Sequence, residues 1–117
     1  MEAVRHRYAF PRSEARALFG TAEDGVVIIE VKGDSMLGTL SPGEKVIVNR
    51  HDRVPSPPGI FVLWDGMGLV LKRVEYIPHS DPPKVRILSD NPRYSPYERM
   101  VDEAYIQGRV IGSWQRR

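Results

Sequence analysis

The apolar residues of this chain never run far. They come as short stretches, "VVIIEV", "EKVIV", "IFVLW", "GLVLKRV", "KVRIL" and "YIQGRVIGSW", and each is cut off by glycine, proline, aspartate or asparagine. Ten glycines and ten prolines in 117 residues punctuate the chain too often for long helices. Within the stretches the period is two: Val27, Ile29 and Val31 alternate with Ile28, Glu30 and Lys32, the pattern of a half-buried strand. "IFVLWDGMGLVLKRVEYI" reads as a hairpin turning at Asp65-Gly66. "HDRVPSPPG" and "DNPRYSPYE" read as loops, and "AYIQGRVIGSWQ" as a last strand in which Gly108 and Gly112 allow bends or close backbone approach. The one helical signal is "FPRSEARALFG", with Pro11 suited to a first turn, an apolar stripe of Ala15, Leu18 and Phe19, and Gly20 to end it. A mainly β, mostly antiparallel fold of about 8 to 10 short strands with one short N-terminal helix is expected. Residues 1–22 are expected to form an arm and that helix, and residues 23–117 the β domain, in a single globular unit.

Composition removes several classes of function. The excess of positive over negative side chains is only +2 and is scattered, too little for nucleic-acid binding by this segment alone. There is no cysteine, hence no disulfide, thiolate metal site or thiol nucleophile. His6, His51 and His79 lie far apart without ligand spacing, so no metal and no cofactor are expected. No apolar run is long enough to span a bilayer and "MEAVRHRYAF" carries no signal-peptide core, so the expected location is the cytoplasm, away from any membrane.

Two residues stand out. Ser35 follows "VVIIEVKGD" in a tight turn. Gly-Asp-Ser is ordinary turn composition, because aspartate and serine side chains bond nearby backbone and glycine accepts positive φ. Yet a serine hydroxyl beside a suitable base is also a nucleophile. Lys72 shares a strand face with Val70 and Val74, while Leu69, Leu71 and Arg73 share the other. A lysine there either guards an edge strand, snorkels to solvent, or sits desolvated, which disfavours the ammonium and makes a neutral general base available. A Ser-Lys dyad is a known variant of triad chemistry.

"GDSM" with Ser35, "LSPGEKVIVNR", "GLVLKRV" with Lys72, "ILSDNPRYSPY" and "IQGRVIGSW", in this order over Val26 to Trp114, resemble the C-terminal domain of LexA-like and phage CI-like repressors. The resemblance implies a LexA/signal-peptidase-like fold that is both a dimerisation module and a serine peptidase acting on its own chain. It implies Ser35 as nucleophile and a buried, neutral Lys72 as general base. Backbone N–H groups around Ser35, with Asp34 and Met36 as neighbours, would form the oxyanion site, and Gly33 would let the turn present the hydroxyl. Scission would separate a helix-turn-helix DNA-binding domain from its dimerisation domain, promoted by a RecA filament in SOS-responsive members. The homodimer is expected through the C-terminal segment, where Tyr105, Ile106, Val110, Ile111 and Trp114 lie on a strand with no later element to cover it.

Where the family commonly has proline two residues after "SM", this sequence has Gly38. Neither Ala-Gly nor Cys-Gly, the usual scissile dipeptides, occurs in it, and no helix-turn-helix signature is present. DNA contact and the cleaved bond are therefore expected to lie outside this segment. A non-cleaving dimerisation or sensing domain with an idle dyad is the alternative. A signal peptidase, which also uses serine and lysine, would need a membrane anchor.

Overall fold

The computed structural model describes residues 25–114 and the backbone strand over residues 3–9. The chain forms one antiparallel sheet of eight strands: β1 (Ala3–Ala9), β2 (Val26–Lys32), β3 (Lys45–Asn49), β4 (Gly59–Trp64), β5 (Leu69–Ile77), β6 (Lys84–Leu88), β7 (Tyr97–Met100) and β8 (Ile106–Trp114). Their spatial order is β1-β2-β3-β8-β4-β5-β6-β7. A 3-10 turn, Val101–Glu103, joins β7 to β8. The mainly β expectation is met. The helix expected over residues 10–20 lies outside the described residues. Among the described residues, no helix is long and apolar enough to cross a membrane.

The alternation read from the sequence sets the core. Val27, Ile29 and Val31 of β2 are buried while Lys32 is exposed. They pack with Val46, Val48, Val62 and Leu71, and with Met36 and Leu40 from the connection after β2. On β4 and β5 the alternate residues, Phe61, Leu63, Val70 and Val74, form a second cluster with Val85, Ile87, Ala104 and Ile106. Both faces of the central hairpin are thus covered. Its turn is the expected one: Asp65 Oδ1 accepts the N–H groups of Met67 and Gly68 at 2.8 and 2.9 Å, and Gly66 takes φ +98°.

Three expectations change. The first residues do not form a free arm, because residues 3–9 pair with β2 and occupy an edge that would otherwise present unpaired backbone groups. Within "DNPRYSPYE", Tyr97 and Glu98 belong to β7, a short edge strand in which Glu98 lies opposite Arg86. The sequence hides it because four residues flanked by Ser-Pro and an acidic turn carry no period. Third, β8 is not an uncovered strand but lies between β3 and β4, paired on both sides. Gly108 is needed there, since a Cβ would stand 2.7 Å from Val48 Cγ1 and 2.8 Å from the Asn49 carbonyl oxygen. The register with β3 slips by one residue at Ile111, a bulge that leaves this isoleucine exposed.

Candidate active site

Lys72 is set in place by register. Along one row of the sheet Asn49 pairs with Arg109, Arg109 with Phe61, and Phe61 with Lys72. Because Arg73 pairs with Leu88 in the antiparallel β5–β6 ladder, the next position along brings Ser89 beside Lys72. Lys72 Nζ donates to Ser89 Oγ at 2.8 Å, and lies 5.5 Å from the centre of the Tyr94 ring. The side chain is half-buried rather than fully buried, with buried Val70 and Val74 on the same face. Strand β5 is interior, flanked by β4 and β6, so this lysine does not guard an edge.

Ser35 stands at the start of the turn that leaves β2. Gly33 takes φ +93°, a conformation glycine adopts without the penalty a Cβ would bring, and the chain folds back at once. The turn closes on itself through the N–H of Leu37 to the Asp34 carbonyl at 3.1 Å, and those of Thr39 and Leu40 to the Met36 carbonyl at 3.0 and 2.8 Å. Met36, 1% exposed, anchors the turn in the core. At Gly38 φ is +106°, a value proline's ring forbids, so the departure from the family's proline follows from the local backbone.

The segment after β6 clamps that turn from outside. Asn91 donates from its backbone N–H to the Ser35 carbonyl and from Nδ2 to the Asp34 carbonyl, both at 2.9 Å. The Tyr94 hydroxyl donates to Asp34 Oδ1, and the Thr39 hydroxyl to Asp90 Oδ2. Asp90 in turn receives Arg73 Nε and Nη2 at 2.8 and 2.7 Å, a two-pronged pair that ties the segment to β5 next to Lys72. Ser89, Asp90, Asn91 and Tyr94 had no role assigned from sequence. "SDNPRY" is turn chemistry by local pattern, and the Asp34 and Ser35 contacts it makes bridge positions more than fifty residues apart.

Ser35 is 0% exposed, and among the described residues its Oγ has no hydrogen-bond partner. Turn serines normally spend the hydroxyl on nearby backbone. Ser80 in this same chain does so, donating to the Ile77 carbonyl at 2.7 Å and accepting the Lys84 N–H at 2.8 Å. Ser35 does not, and a buried hydroxyl without a partner carries a cost that calls for an explanation. The direct hydrogen bond expected between Ser35 and Lys72 is not formed. Instead the two are held on one short segment, Lys72 by Ser89 and Ser35 by Asn91.

Of the other residues singled out from sequence, Ile106 is buried in one core cluster and Val110 is half-buried against the other. Tyr105, Ile111 and Trp114 are exposed by 57, 39 and 40%. A separate cleft of about 590 Å³, lined by residues including Trp64, Tyr97, Arg99 and Tyr105, includes neither Ser35 nor Lys72. Among the described residues, no group of three or more histidine, cysteine, aspartate or glutamate side chains is placed to hold a metal.

Hydrogen bonds from Arg73 hold the Asp90 carboxyl below the usual carboxylate range against the opposing effect of burial, with a smaller contribution from Thr39. A carboxyl whose pKa is lowered by folding stabilises the fold above its unfolded value and loses that contribution as pH falls through the folded value. The contribution is therefore complete above about pH 5 and fades progressively below about pH 4, the ordinary aspartate value. It is on the order of 1 kcal/mol, because the Arg73 side chain is 38% exposed and water screens the pair. Urea midpoints of wild type and Asp90→Asn should differ at pH 7 and converge as pH falls below the ordinary aspartate value; a difference that stays constant would show that the charge of Asp90 does not contribute.

A mainly β sheet with a serine turn and a half-buried lysine defines a class, and comparison with known proteins places it. The Peptidase S24-like family matches residues 2–111, and the chain belongs to that family. It is similar to the 26 kDa repressor protein of Escherichia phage HK022, with 31% identity over 106 residues, which are 87% of this chain and 43% of that protein. The chain thus spans less than half the length of that relative. No solved structure matches it significantly.

Proposed function

We propose that this chain is the C-terminal domain of a LexA/CI-like transcriptional repressor, and that it is a Ser-Lys peptidase cutting a linker of its own polypeptide. The observation that carries the reading is the buried Ser35 hydroxyl, unused by its turn, in a turn pinned to the same segment that receives the lysine. Neutral Lys72 takes the Oγ proton while Oγ attacks the carbonyl carbon of the scissile bond. The turn's internal bonds come from Leu37, Thr39 and Leu40, which leaves the N–H groups of Ser35 and Met36 outside them for the oxyanion. The resulting ammonium returns its proton to the leaving nitrogen, and water then hydrolyses the Ser35 ester. Full burial of the serine suits a tethered substrate, whose effective concentration is high, better than a free one.

DNA contact belongs, in this proposal, to a helix-turn-helix domain on the same polypeptide, and self-association to the exposed Tyr105, Ile111 and Trp114. The test joins this chain to an upstream linker carrying an Ala-Gly bond and follows scission from neutral to alkaline pH. Scission that increases with pH and vanishes in Ser35→Ala is the expected result. Scission that persists in Ser35→Ala would remove the nucleophile, and a folded wild type that never cuts would leave the domain a non-cleaving module.

A further inference from the structure

We propose that Asn91 is a positioning residue for the oxyanion site, holding the two peptide groups whose N–H bonds meet the negative charge that develops during scission. The inference rests on the Ser-Lys reading above and adds to it a residue from outside the turn that carries the nucleophile.

A peptide group is planar, and in the trans form its N–H and C=O point to opposite sides. The Asp34 carbonyl shares a peptide group with the Ser35 N–H, and the Ser35 carbonyl shares the next one with the Met36 N–H; both groups are trans. Asn91 holds both carbonyls, the first from Nδ2 and the second from its backbone N–H, each at 2.9 Å. A plane gripped at its oxygen leaves its N–H little freedom, so one residue sets the direction of both donors. The bonds inside the turn do less. Leu37 also donates to the Asp34 carbonyl, at 3.1 Å, but it moves with the turn, and Thr39 and Leu40 donate to Met36.

Asn91 is itself fixed. It is 6% exposed, its Oδ1 accepts the Arg93 N–H at 3.1 Å, and its carbonyl accepts the Tyr94 N–H at 3.2 Å. With Oδ1 committed to Arg93, Nδ2 is the end turned to Asp34, and an amide supplies both the acceptor and the donor that these contacts require. A carboxylate would keep the Arg93 contact and lose the donor.

The chemistry gives the asparagine a second effect. As Ser35 Oγ attacks, charge collects on the oxygen of the scissile carbonyl, and N–H groups aimed at it in advance stabilise it without reorganising. A hydrogen bond accepted by a carbonyl also polarises the N–H of the same peptide group, because bonds linked in a chain strengthen one another. The chain here runs from Asn91 Nδ2 to the Asp34 carbonyl and on through the Ser35 N–H. Its effect grows with the charge it meets, which is the condition for raising the rate rather than only binding.

The experiment uses this chain joined to the Ala-Gly linker, in wild type, Asn91→Ala and Asn91→Asp, with urea midpoints to confirm folding. Asn91→Ala should lower the alkaline plateau of the scission rate by about 10- to 100-fold, less than the loss of about 10²- to 10³-fold on deleting an oxyanion donor outright, because both N–H groups remain. The amide spectrum gives a sign that a loosened fold would not. The nitrogen resonance of Ser35, whose peptide group loses the Asn91 bond, should move, while those of Leu37, Thr39 and Leu40, which bond within the turn, should hold. Asn91→Asp, which keeps the Arg93 contact, should lose at least as much of the plateau, and it decides the outcome if Asn91→Ala does not fold. Resonance changes spread over the whole turn would make Asn91 a residue of the fold alone and overturn the proposal, as would a folded variant that cuts at the wild-type rate. A folded wild type that does not cut at any pH overturns the Ser-Lys reading, and this inference with it.

Discussion

Replacing Lys72 by alanine is expected to remove scission, with a rate loss on the order of 10⁴-fold or more, and the double variant Ser35→Ala/Lys72→Ala should be no slower than either single one. A nucleophile and its base form one unit: without the base the hydroxyl is left protonated, and without the hydroxyl the base has nothing to deprotonate. Lys72→Arg separates the base from the charge. The guanidinium keeps the positive charge but is not deprotonated in proteins, so this variant should be as inactive as Lys72→Ala. Scission rates of the linker-joined chain at alkaline pH measure all four proteins. Losses that multiply in the double variant would mean that the two residues act independently. Substantial activity in Lys72→Arg would assign the lysine an electrostatic role in place of proton transfer.

The sheet was legible because its signals are local. Alternation in "VVIIEVK", the Asp65-Gly66 turn and the apolar run of "GLVLKRV" each settle a strand or turn within a few residues, and these elements appear as expected. Ser35 and Lys72 were legible as residue types, but their surroundings were not. What distinguishes Ser35 from an ordinary turn serine is the absence of a bond, and Ser80 shows how little the sequence says about that. The clamp made by Ser89, Asp90, Asn91 and Tyr94 depends on bringing the end of β6 against the exit of β2, a contact no local period encodes. The position of β8 was missed for the same reason. A C-terminal strand looks free at its end, and only the sheet order shows it inserted between β3 and β4, with Ile106 in the core.

Phe61→Ala should cost about 3–5 kcal/mol of folding stability, the range for emptying a buried aromatic site. Against a typical total of about 5–15 kcal/mol this would bring the domain close to unfolding. Phe61 is 0% exposed and lies at the junction of three strands, its cross-strand partners being Lys72 on β5 and Arg109 on β8. Its ring also lies 4.4 Å from the Arg109 guanidinium. That arginine binds Asp52 at 2.7 Å and the carbonyls of Val54 and Pro57 at 3.0 and 2.8 Å, and so holds the proline-rich loop against the sheet. The truncation therefore removes apolar burial, opens a void beneath the row that carries Lys72, and deprives Arg109 of its aromatic face. Urea unfolding should show a large fall in midpoint for Phe61→Ala and a smaller one for Phe61→Leu, which refills most of the volume. Amide exchange across residues 52–58 should quicken in both. A loss below about 1 kcal/mol in Phe61→Ala would contradict the burial of the ring. Exchange in the loop that stays unchanged would show that Arg109 holds it without the ring, and that the row from Arg109 to Lys72 is coupled through backbone pairing alone.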